Sequence, residues 1–291
     1  MERHTAWTMN RRGFLGAVGA AVVPAWSVAA AIERVGVQLY TVREALAADF
    51  DGTLAKVAAI GFKEVEFAGY AGRTPVQVQA SLERHGLTAP AAHVDYPSLG
   101  EKWPQVIEAA GKIGHRYLVN PWIDESIRRA PDSWKRIAES FNRAGEASRK
   151  AGIQFAYHNH HFEFDPVDGV LPFDVLLQEC DPGLVKIELD LCWIAVAGGD
   201  PLAYFSRHPG RFPLVHVKGL AKRPAGGAAA PIDRVLPDIT DVGRGDVIDW
   251  PQIFAKAPQA GIQHYFVEHD VPKAPFESLK ISYDYLRGLG F

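Results

Sequence analysis

From residue 35 onward, short apolar runs alternate with longer stretches whose apolar residues recur at helical spacing. Short and almost wholly apolar runs are typical of strands in a parallel sheet that is covered on both faces. Eight such strand–helix units in one direction predict an α/β fold, a single closed (β/α)8 or TIM barrel, over residues 32–291. The predicted strands are residues 35–40, 64–67, 87–93, 117–120, 153–156, 184–187, 212–215 and 265–267.

Local signals at the ends of helices support this division. Thr74 is a capping residue followed by Pro75, which is typical of a helix start, and Gly61 ends the helix predicted over residues 43–60. The competing fold is an open doubly wound sheet, which would normally carry a glycine-rich phosphate-binding turn after its first strand. Residues 40–43 read Tyr-Thr-Val-Arg at that point, so the barrel is favoured.

One segment, residues 220–240, is rich in Ala, Gly and Pro and shows no periodicity. It follows the seventh predicted strand, so we expect it at the end of the barrel where the other strand-to-helix loops lie. Loops of this kind often bind substrate or close over a site. A surface insertion without a role is the alternative, and the sequence favours neither.

The first 31 residues differ from the rest of the chain. Arg11 and Arg12 precede Phe14 and Leu15, and then an apolar run of small residues leads to three alanines at 29–31. This order predicts a removable export signal of the twin-arginine type and hence a periplasmic protein. The run is short and rich in alanine and glycine, which disfavours a stable membrane span. An uncleaved anchoring N terminus is the alternative.

Composition narrows the range of partners. A length of 291 residues with 47% hydrophobic content is enough for one large domain with a complete core. Removing residues 1–31 takes away three basic residues and one acidic residue, which changes the formal net charge from -3 to -5, so we expect no nucleic-acid partner. The two cysteines, Cys180 and Cys192, are too few for a disulfide framework and are expected to be buried thiols.

Polar clusters follow each of the last four predicted strands. The carboxyl ends of neighbouring parallel strands meet at one mouth of a barrel, where the active sites of such barrels lie. Carboxylates and imidazoles brought together there suit a divalent metal, so the sequence predicts a metalloenzyme. The clusters are residues 157–163 (YHNHHFE), 188–190 (ELD), 216–218 (HVK) and 268–270 (EHD).

Together with residues 243–250 (GRGDVIDW), these clusters resemble motifs of the sugar phosphate isomerase/epimerase superfamily, whose fold is a xylose-isomerase-like TIM barrel. The resemblance covers residues 33–291 and is specific for fold and metal dependence rather than for the substrate. Two positions depart from it. Trp193 stands where sugar epimerases of the superfamily often have a histidine, and Gly219 stands where an aspartate is usual.

The resemblance implies one divalent metal ion held by side chains from strands five to eight. Carried over to this chain, the ligands are Glu163, Asp190, His216 and Glu268. Three carboxylates and one imidazole are mostly hard donors, so Mn²⁺ is expected first, with Mg²⁺, Co²⁺ or Zn²⁺ as alternatives. On strand five His158 is the alternative ligand, because it lies nearer the end of the apolar run than Glu163 does.

Roles in catalysis and substrate binding follow from position at the same mouth. Lys218 faces the same way as His216 and could neutralise a negatively charged oxygen of the substrate. The histidines of strand five could instead only orient the ligands. Proton transfer is assigned to Glu268, Glu163, His158 and His160, and substrate contacts to His93, Asn120, Trp122, Lys218 and Glu66.

The leading functional hypothesis is a divalent-metal-dependent sugar isomerase or epimerase that abstracts a proton next to a carbonyl and works through an enediolate. One alternative uses the same site as a lyase that cleaves oxidised (3-keto) glycosides by β-elimination. The export signal favours that alternative, because free sugar phosphates are scarce outside the cytoplasm. A carbohydrate-binding barrel without catalysis is the third hypothesis. The expected partner is a small sugar or sugar derivative, and a homo-oligomer is possible.

Overall fold

The computed structural model describes residues 35–130, 132–167 and 169–289. Its eight barrel strands are β1 (Val35–Gln38), β2 (Glu64–Phe67), β3 (Thr88–His93), β4 (Tyr117–Asn120), β5 (Gln154–His158), β6 (Val185–Asp190), β7 (Leu214–Val217) and β10 (His264–Val267). All neighbours are parallel, and β1 pairs with both β2 and β10, which closes the sheet in the order β1-β10-β7-β6-β5-β4-β3-β2. The predicted (β/α)8 barrel is therefore confirmed, and the open sheet is excluded.

Helices follow the strands, and one of the predicted helices is divided in two. The helix predicted over residues 43–60 breaks at Asp49, whose side chain accepts a hydrogen bond from the N–H of Gly52 and caps a second helix. The helices are α1 (Arg43–Ala48), α2 (Phe50–Ile60), α3 (Pro75–His85), α4 (Trp103–Ile113), α5 (Glu125–Arg128), α6 (Ser133–Arg149), α7 (Pro172–Glu179), α8 (Leu191–Val196), α9 (Pro201–Arg207), α10 (Ile232–Val235), α11 (Trp250–Phe254), α12 (Ala257–Ala260) and α13 (Pro275–Gly288).

Apolar side chains fill the barrel below its polar mouth. Strands β1, β2, β4, β7 and β10 are buried along their whole length, as expected for a parallel sheet that is covered on both faces. A separate apolar cluster includes Tyr117, Leu214 and Phe266. Gly36 lies against it, because a Cβ at that position would come within 2.6 Å of the Phe266 ring. A side chain at residue 36 would therefore displace this layer of the core.

The segment over residues 220–240 is folded rather than irregular. Two short antiparallel strands bound it, β8 (Gly219–Leu220) and β9 (Ile239–Thr240), and α10 lies between them. Leu220 and Val235 are fully buried in one apolar cluster with Trp193 of α8. A ring nitrogen of His161 lies 2.8 Å from the carbonyl oxygen of Ala230. These contacts hold the segment against the residues that follow β5 and β6.

The predicted export signal, residues 1–31, lies outside the described residues. Within the part of the chain that the structure describes, no helix is long and apolar enough to cross a membrane. Both cysteines, Cys180 and Cys192, are free and buried, as expected.

Candidate metal centre

The carboxyl-terminal end of the barrel carries a cluster of buried charged side chains. Residues two apart along a strand face the same side. Glu188 and Asp190 of β6 therefore face the same way, as do His216 of β7 and Lys218 just after it. All four are at most 1% exposed. Asp190 pairs with His216 in the register of β6 and β7, so the two clusters meet as the sequence predicted.

Two sets of four side chains in this cluster offer ligand atoms that lie within 4.8 Å of one another. We call one set the outer group, which consists of His158, Asp190, His216 and Glu268. The other set is the inner group, which consists of Glu66, His93, Glu188 and His216. The inner group lies deeper in the barrel, because Glu188 precedes Asp190 by two residues on β6. His216 belongs to both groups.

In the outer group, the side chains come from β5, β6, β7 and the end of β10. Nδ1 of His216 lies 2.8 Å from Oε2 of Glu268 and 3.6 Å from Oδ2 of Asp190. Nε2 of His158 lies 3.3 Å from the same Asp190 oxygen. Burial lowers the pKa of His158, and the charge of His216 adds to the shift. A neutral imidazole is the form that binds a metal ion.

Lys218 is the fixed positive charge beside the outer group. Its Nζ lies 3.1 Å from Asp190, 2.9 Å from Glu268 and 2.9 Å from Asp270. Burial opposes the ionisation of Asp190 and Glu268, but Lys218, His216 and His158 together outweigh it and lower the pKa of both carboxyls. Lys218 therefore helps to keep these carboxylates ionised, and it is itself only 1% exposed.

In the inner group, two carboxylates share two imidazoles. Nε2 of His216 lies 2.9 Å from Oε2 of Glu66 and 3.3 Å from Oε2 of Glu188. Nε2 of His93 lies 3.1 Å from the Glu188 oxygen and 3.4 Å from the Glu66 oxygen. The amide of Gln38 donates a hydrogen bond of 2.8 Å to Oε2 of Glu66. Glu66 and Glu188 are both 0% exposed.

The pKa values of the two carboxyl groups of the inner group, Glu66 and Glu188, shift in opposite directions. Burial raises the pKa of Glu66 to about 7, and the charge of Glu188 adds to the shift. Burial also opposes the ionisation of Glu188, but His216 and His93 together lower the pKa of that carboxyl. When two carboxyl groups lie close together, the negative charge of the one that ionises first makes the other harder to ionise. The pKa of the second group therefore rises above that of the first. The inner group therefore attracts positive charge.

Glu163, the ligand carried over from the resemblance on strand five, does not join either group. It lies in a short 3₁₀ helix, Phe162–Phe164, beyond the end of β5. There its carboxylate turns away, accepting hydrogen bonds from the hydroxyl of Tyr157 and, at 2.8 Å, from the N–H of His160. Burial raises the pKa of Glu163 to about 7. His158, the alternative on strand five, occupies the place in the outer group.

A cavity of about 590 Å³ opens above the outer group. Its polar floor includes His158 and Glu268, and Lys218, His93 and His160 also line it. The walls are mostly apolar and partly come from the 220–240 segment. The wall residues include Tyr40, Tyr96, Pro97, Pro121, Trp122, Ile127, Ile232, Leu236 and Val271. A concave, mostly apolar pocket with a few converging polar groups is typical of a small-molecule site.

The predicted substrate contacts occupy three different environments. Trp122 is 39% exposed in the cavity wall, with its ring 4.9 Å from that of His160. His93 and Lys218 reach both the cavity and the charged cluster. Glu66 lies in the inner group instead. Asn120 is fully buried and donates a hydrogen bond of 2.9 Å to the carbonyl of Val94, so it supports the end of β3.

Sequence reasoning gave no role to two acidic residues of this site. Glu188 belongs to the inner group, and Asp270 contacts Lys218 and lines the cavity. A signal for Glu188 was present, because it stands two residues before Asp190 and strand alternation puts both on one face. Asp270 stands two residues after Glu268 in the same way, although it lies beyond the end of β10.

The side chains of the outer group fit a divalent transition metal. Two imidazole nitrogens and two carboxylates, all at most 6% exposed, give a mixed set of donors that suits Zn²⁺, Mn²⁺ or Co²⁺. The set differs from the expected three carboxylates and one imidazole, because His158 takes the place of Glu163. With a divalent ion bound, the two carboxylates of the outer group would be neutralised.

The fold and the site together define a TIM barrel with a buried centre able to hold a metal. The family model of the xylose isomerase-like TIM barrel matches residues 54–288. The chain belongs to this family, as the sequence motifs predicted.

Individual relatives have several activities. The chain is 25% identical to the inosose dehydratase of Geobacillus thermodenitrificans over 205 residues, which are 67% of this chain and 68% of the relative. It is 27% identical to that of Mesomycoplasma hyopneumoniae over 54% of each chain, so it spans from about half to just over two thirds of these curated relatives. The crystal structure of a sugar phosphate isomerase/epimerase from Parabacteroides distasonis has a TM-score of 0.73 and 26% identity, covering 87% of this chain and 93% of that one. The structure of the IolI protein with a bound zinc atom is similar in fold alone, with a TM-score of 0.68 and 12% identity over 88% of this chain and 98% of the other.

Proposed function

We propose that this chain is a divalent-metal-dependent enzyme that abstracts the proton next to the carbonyl of a sugar-like substrate, and that it is a sugar isomerase or epimerase. The observation that carries this proposal is the outer group at the floor of a large cavity. Two of its members, His158 and Glu268, also line the cavity. A divalent ion held by the outer group would polarise a substrate carbonyl and make the neighbouring C–H bond more acidic.

Glu268 is the proposed base. It lies 2.9 Å from Lys218, whose charge lowers the pKa of its carboxyl, so the carboxylate is ionised at neutral pH. A carboxylate that faces the cavity can accept the proton from the substrate carbon, and Lys218 would then balance the negative charge that develops on the substrate oxygen.

His160 is the proposed partner that returns the proton, because it lines the cavity and belongs to neither ligand group, whereas His158 would be bound to the ion. Its ring centroid lies 5.0 Å from that of His158. His160 follows β5 and Glu268 follows β10, and two strands, β6 and β7, separate β5 from β10 in the barrel. The two side chains therefore approach a substrate from different sides. Proton transfer to the neighbouring carbon gives isomerisation, and transfer to the opposite face of the same carbon gives epimerisation.

Elimination is the second candidate function, and the cavity supports it. The same first step, followed by loss of a group from the next carbon, would make the enzyme a dehydratase or a lyase of 3-keto glycosides. The cavity of about 590 Å³ is larger than one six-carbon sugar needs, and its apolar walls suit a bulky leaving group. Similarity to inosose dehydratases, at 25% identity, also supports elimination.

Proton nuclear magnetic resonance in D₂O tests the shared step directly. Metal-loaded protein should exchange the hydrogen next to the carbonyl in at least one of a panel of ketoses, inososes and 3-keto glucosides. The Glu268→Gln variant should lose this exchange, and Asp284→Asn, a change on the exposed face of α13, should retain it. A rearranged sugar identifies the isomerase, whereas release of water or an alcohol identifies elimination. Binding without exchange across the panel would contradict the proposal and favour a carbohydrate-binding barrel.

Export through the twin-arginine route is proposed on residues 1–31. The paired Arg11 and Arg12 and the small apolar run behind them support it. In a host with this route, the mature protein should appear in the periplasm, beginning near residue 32. The Arg11→Lys, Arg12→Lys double variant should remain in the cytoplasm, and its appearance in the periplasm would contradict the proposal.

A further inference from the structure

We propose that the inner group is a second divalent-cation site, so that the barrel holds two ions joined by the two ring nitrogens of His216. This inference goes beyond the proposed function, which requires only the ion of the outer group. It also differs from the single ion that the sequence predicted. Three independent observations support it: the positions of the ligand atoms, buried oxygens without partners, and the balance of charge.

The first observation is that His216 presents one nitrogen to each group. Its Nδ1 lies 2.8 Å from Glu268 in the outer group, and its Nε2 lies 2.9 Å from Glu66 in the inner group. With both sites filled, each ring nitrogen would bind one ion, and the ring would release its N–H proton to solvent and bridge the two ions as an imidazolate. The inner ion would take its other ligands from Glu66, Glu188 and Nε2 of His93, whose candidate atoms lie within 4.8 Å of one another.

The second observation concerns the other carboxylate oxygens of the inner group. Oε1 of Glu66 and Oε1 of Glu188 are buried, and within the described part of the chain neither has a hydrogen-bond partner. A buried polar atom without a partner is costly, and a buried charge without one costs more. These two oxygens could bind a cation that lies between the carboxylates, because a carboxylate binds a metal ion through one oxygen or both.

The third observation is the charge of the whole cluster. Five carboxylates face one fixed cation, Lys218, so four negative charges remain when all five are ionised and the imidazoles are neutral, as metal binding requires. One divalent ion would leave two of these charges. Two divalent ions, with His216 bound to both as an imidazolate, would leave one. Buried charges require compensation of this kind. The five carboxylates are Glu66, Glu188, Asp190, Glu268 and Asp270.

The donors of the inner group indicate the kind of ion. Two imidazoles and two carboxylates suit Zn²⁺, Mn²⁺, Fe²⁺ or Co²⁺, and they do not suit Ca²⁺, which takes oxygen ligands only. Gln38 supports the arrangement from behind. Its side-chain amide donates a hydrogen bond to Glu66, and its side-chain oxygen accepts one from the N–H of Tyr40 at 3.0 Å. Hydrogen bonds of this sort hold metal ligands in orientation.

Metal content of the full chain tests the inference without any activity assay. Protein stripped with a chelator is reloaded with Mn²⁺ or, separately, with Zn²⁺, desalted and analysed for metal by mass spectrometry. The wild-type chain should bind two equivalents. Glu188→Gln should bind one, and so should His93→Gln, which is the second test if the first variant does not fold. In the Mn²⁺-loaded chain, two ions bridged by one imidazole should show dipolar coupling by electron paramagnetic resonance, and the variants should lose it.

The control is Glu64→Gln. Glu64 lies on β2 two residues before Glu66 and is also buried, but it pairs with His264 at the opposite end of the barrel. This variant should still bind two equivalents. One equivalent in the wild-type chain would overturn the inference, as would two equivalents in both inner-group variants. A chain with one ion that still exchanges the substrate proton would refute only the second site, whereas a chain with two ions and no exchange would refute only the proposed function.

Discussion

The two ends of this barrel both bury carboxylates and histidines, and they do so in different ways. At the amino-terminal end, Glu64 lies 2.6 Å from Nδ1 of His264, and Nε2 of that ring lies 2.9 Å from Arg116. One carboxylate there has one imidazole beside it, and that imidazole has one guanidinium. At the carboxyl-terminal end, five carboxylates share Lys218 and the imidazoles of His93 and His216. The first arrangement is a self-sufficient polar network, whereas the second has an excess of carboxylates that suits bound cations.

This difference follows from how far along its strand each buried carboxylate lies. Glu64 and Glu66 lie on the same face of β2, two residues apart, and yet they meet different surroundings. Glu64 meets the apolar layer and His264, and Glu66 meets Glu188 and two histidines. Parallel strands of a barrel send their carboxyl ends to one mouth, where side chains from several strands can converge on one ion. Fold stability and chemistry therefore occupy opposite ends of the same strands.

The largest expected effect comes from removing the proposed base. Glu268→Gln should reduce the rate of exchange of the substrate proton by about 10²–10⁴-fold, the usual contribution of a positioned acid or base. Glu64→Gln, at the other end of the barrel, should change that rate by less than about 10-fold in the folded protein. Exchange rates of the two purified variants, measured by nuclear magnetic resonance, make this comparison. Equal losses in both variants would contradict the division between the two ends.

Removal of metal should destabilise the protein through the carboxyl-terminal end alone. At a concentration about 1,000 times Kd, a bound ion contributes about 4 kcal/mol to the free energy of unfolding. Thermal unfolding with and without a chelator should show this loss. In Asp190→Asn the chelator should cause a smaller loss of stability, because one ligand of the outer group is missing. In Glu64→Gln it should cause the same loss as in the wild-type chain. No effect of the chelator on the wild-type chain would exclude a tightly bound ion.

Glu163 should give a pH dependence of stability that does not depend on metal. Burial raises the pKa of its carboxyl from 4.5 to about 7. Because the unfolded chain ionises first, the wild-type chain should lose about 3 kcal/mol relative to Glu163→Gln as the pH rises from 4.5 to 7, and the difference should then stay constant. Denaturant unfolding of both chains at several pH values measures this. Unchanged metal content in Glu163→Gln would also separate this residue from the ligands.

The smallest expected effect is the change in the free energy of unfolding when one carboxylate is replaced in the metal-free protein. Glu64→Gln should lower the free energy of unfolding by about 2 kcal/mol, because His264 loses its charged partner. Glu66→Gln should leave it unchanged or raise it, because burial and the charge of Glu188 disfavour the ionised form of Glu66. Urea unfolding in the presence of a chelator measures both. Destabilisation by Glu66→Gln as large as that by Glu64→Gln would show that the inner carboxylates are compensated without metal.

The periodicity of the sequence was enough to predict the barrel. Alternation of apolar runs with helical stretches determined the number and direction of the strands, and the clusters after the last four strands led to Asp190, His216 and Glu268, which the structure brings together. These residues lie on or next to strands, where side-chain direction follows a fixed alternation. Glu163 lies in a turn, where no such rule applies, and the hydrogen bond from the Tyr157 hydroxyl decides its direction.

The inner group was beyond the reach of sequence reasoning for a different reason. Its members come from β2, β3, β6 and β7, and the sequence does not indicate how deep each side chain lies in the barrel. Their meeting depends on strand register, such as the pairing of Glu66 with Ala91 on β3. The small side chain of Ala91 leaves space inside the barrel, while His93, two residues later, reaches both carboxylates. Register is a property of the closed sheet rather than of any one segment.

Anomalous diffraction from crystals of the Mn²⁺- or Zn²⁺-loaded chain tests the central claim most directly, because it locates bound ions without reference to activity. The account predicts a peak within ligand distance of His158, Asp190, His216 and Glu268, at the floor of the cavity. A fully loaded crystal without a peak there, or with Glu163 in place of His158 around the ion, would contradict it.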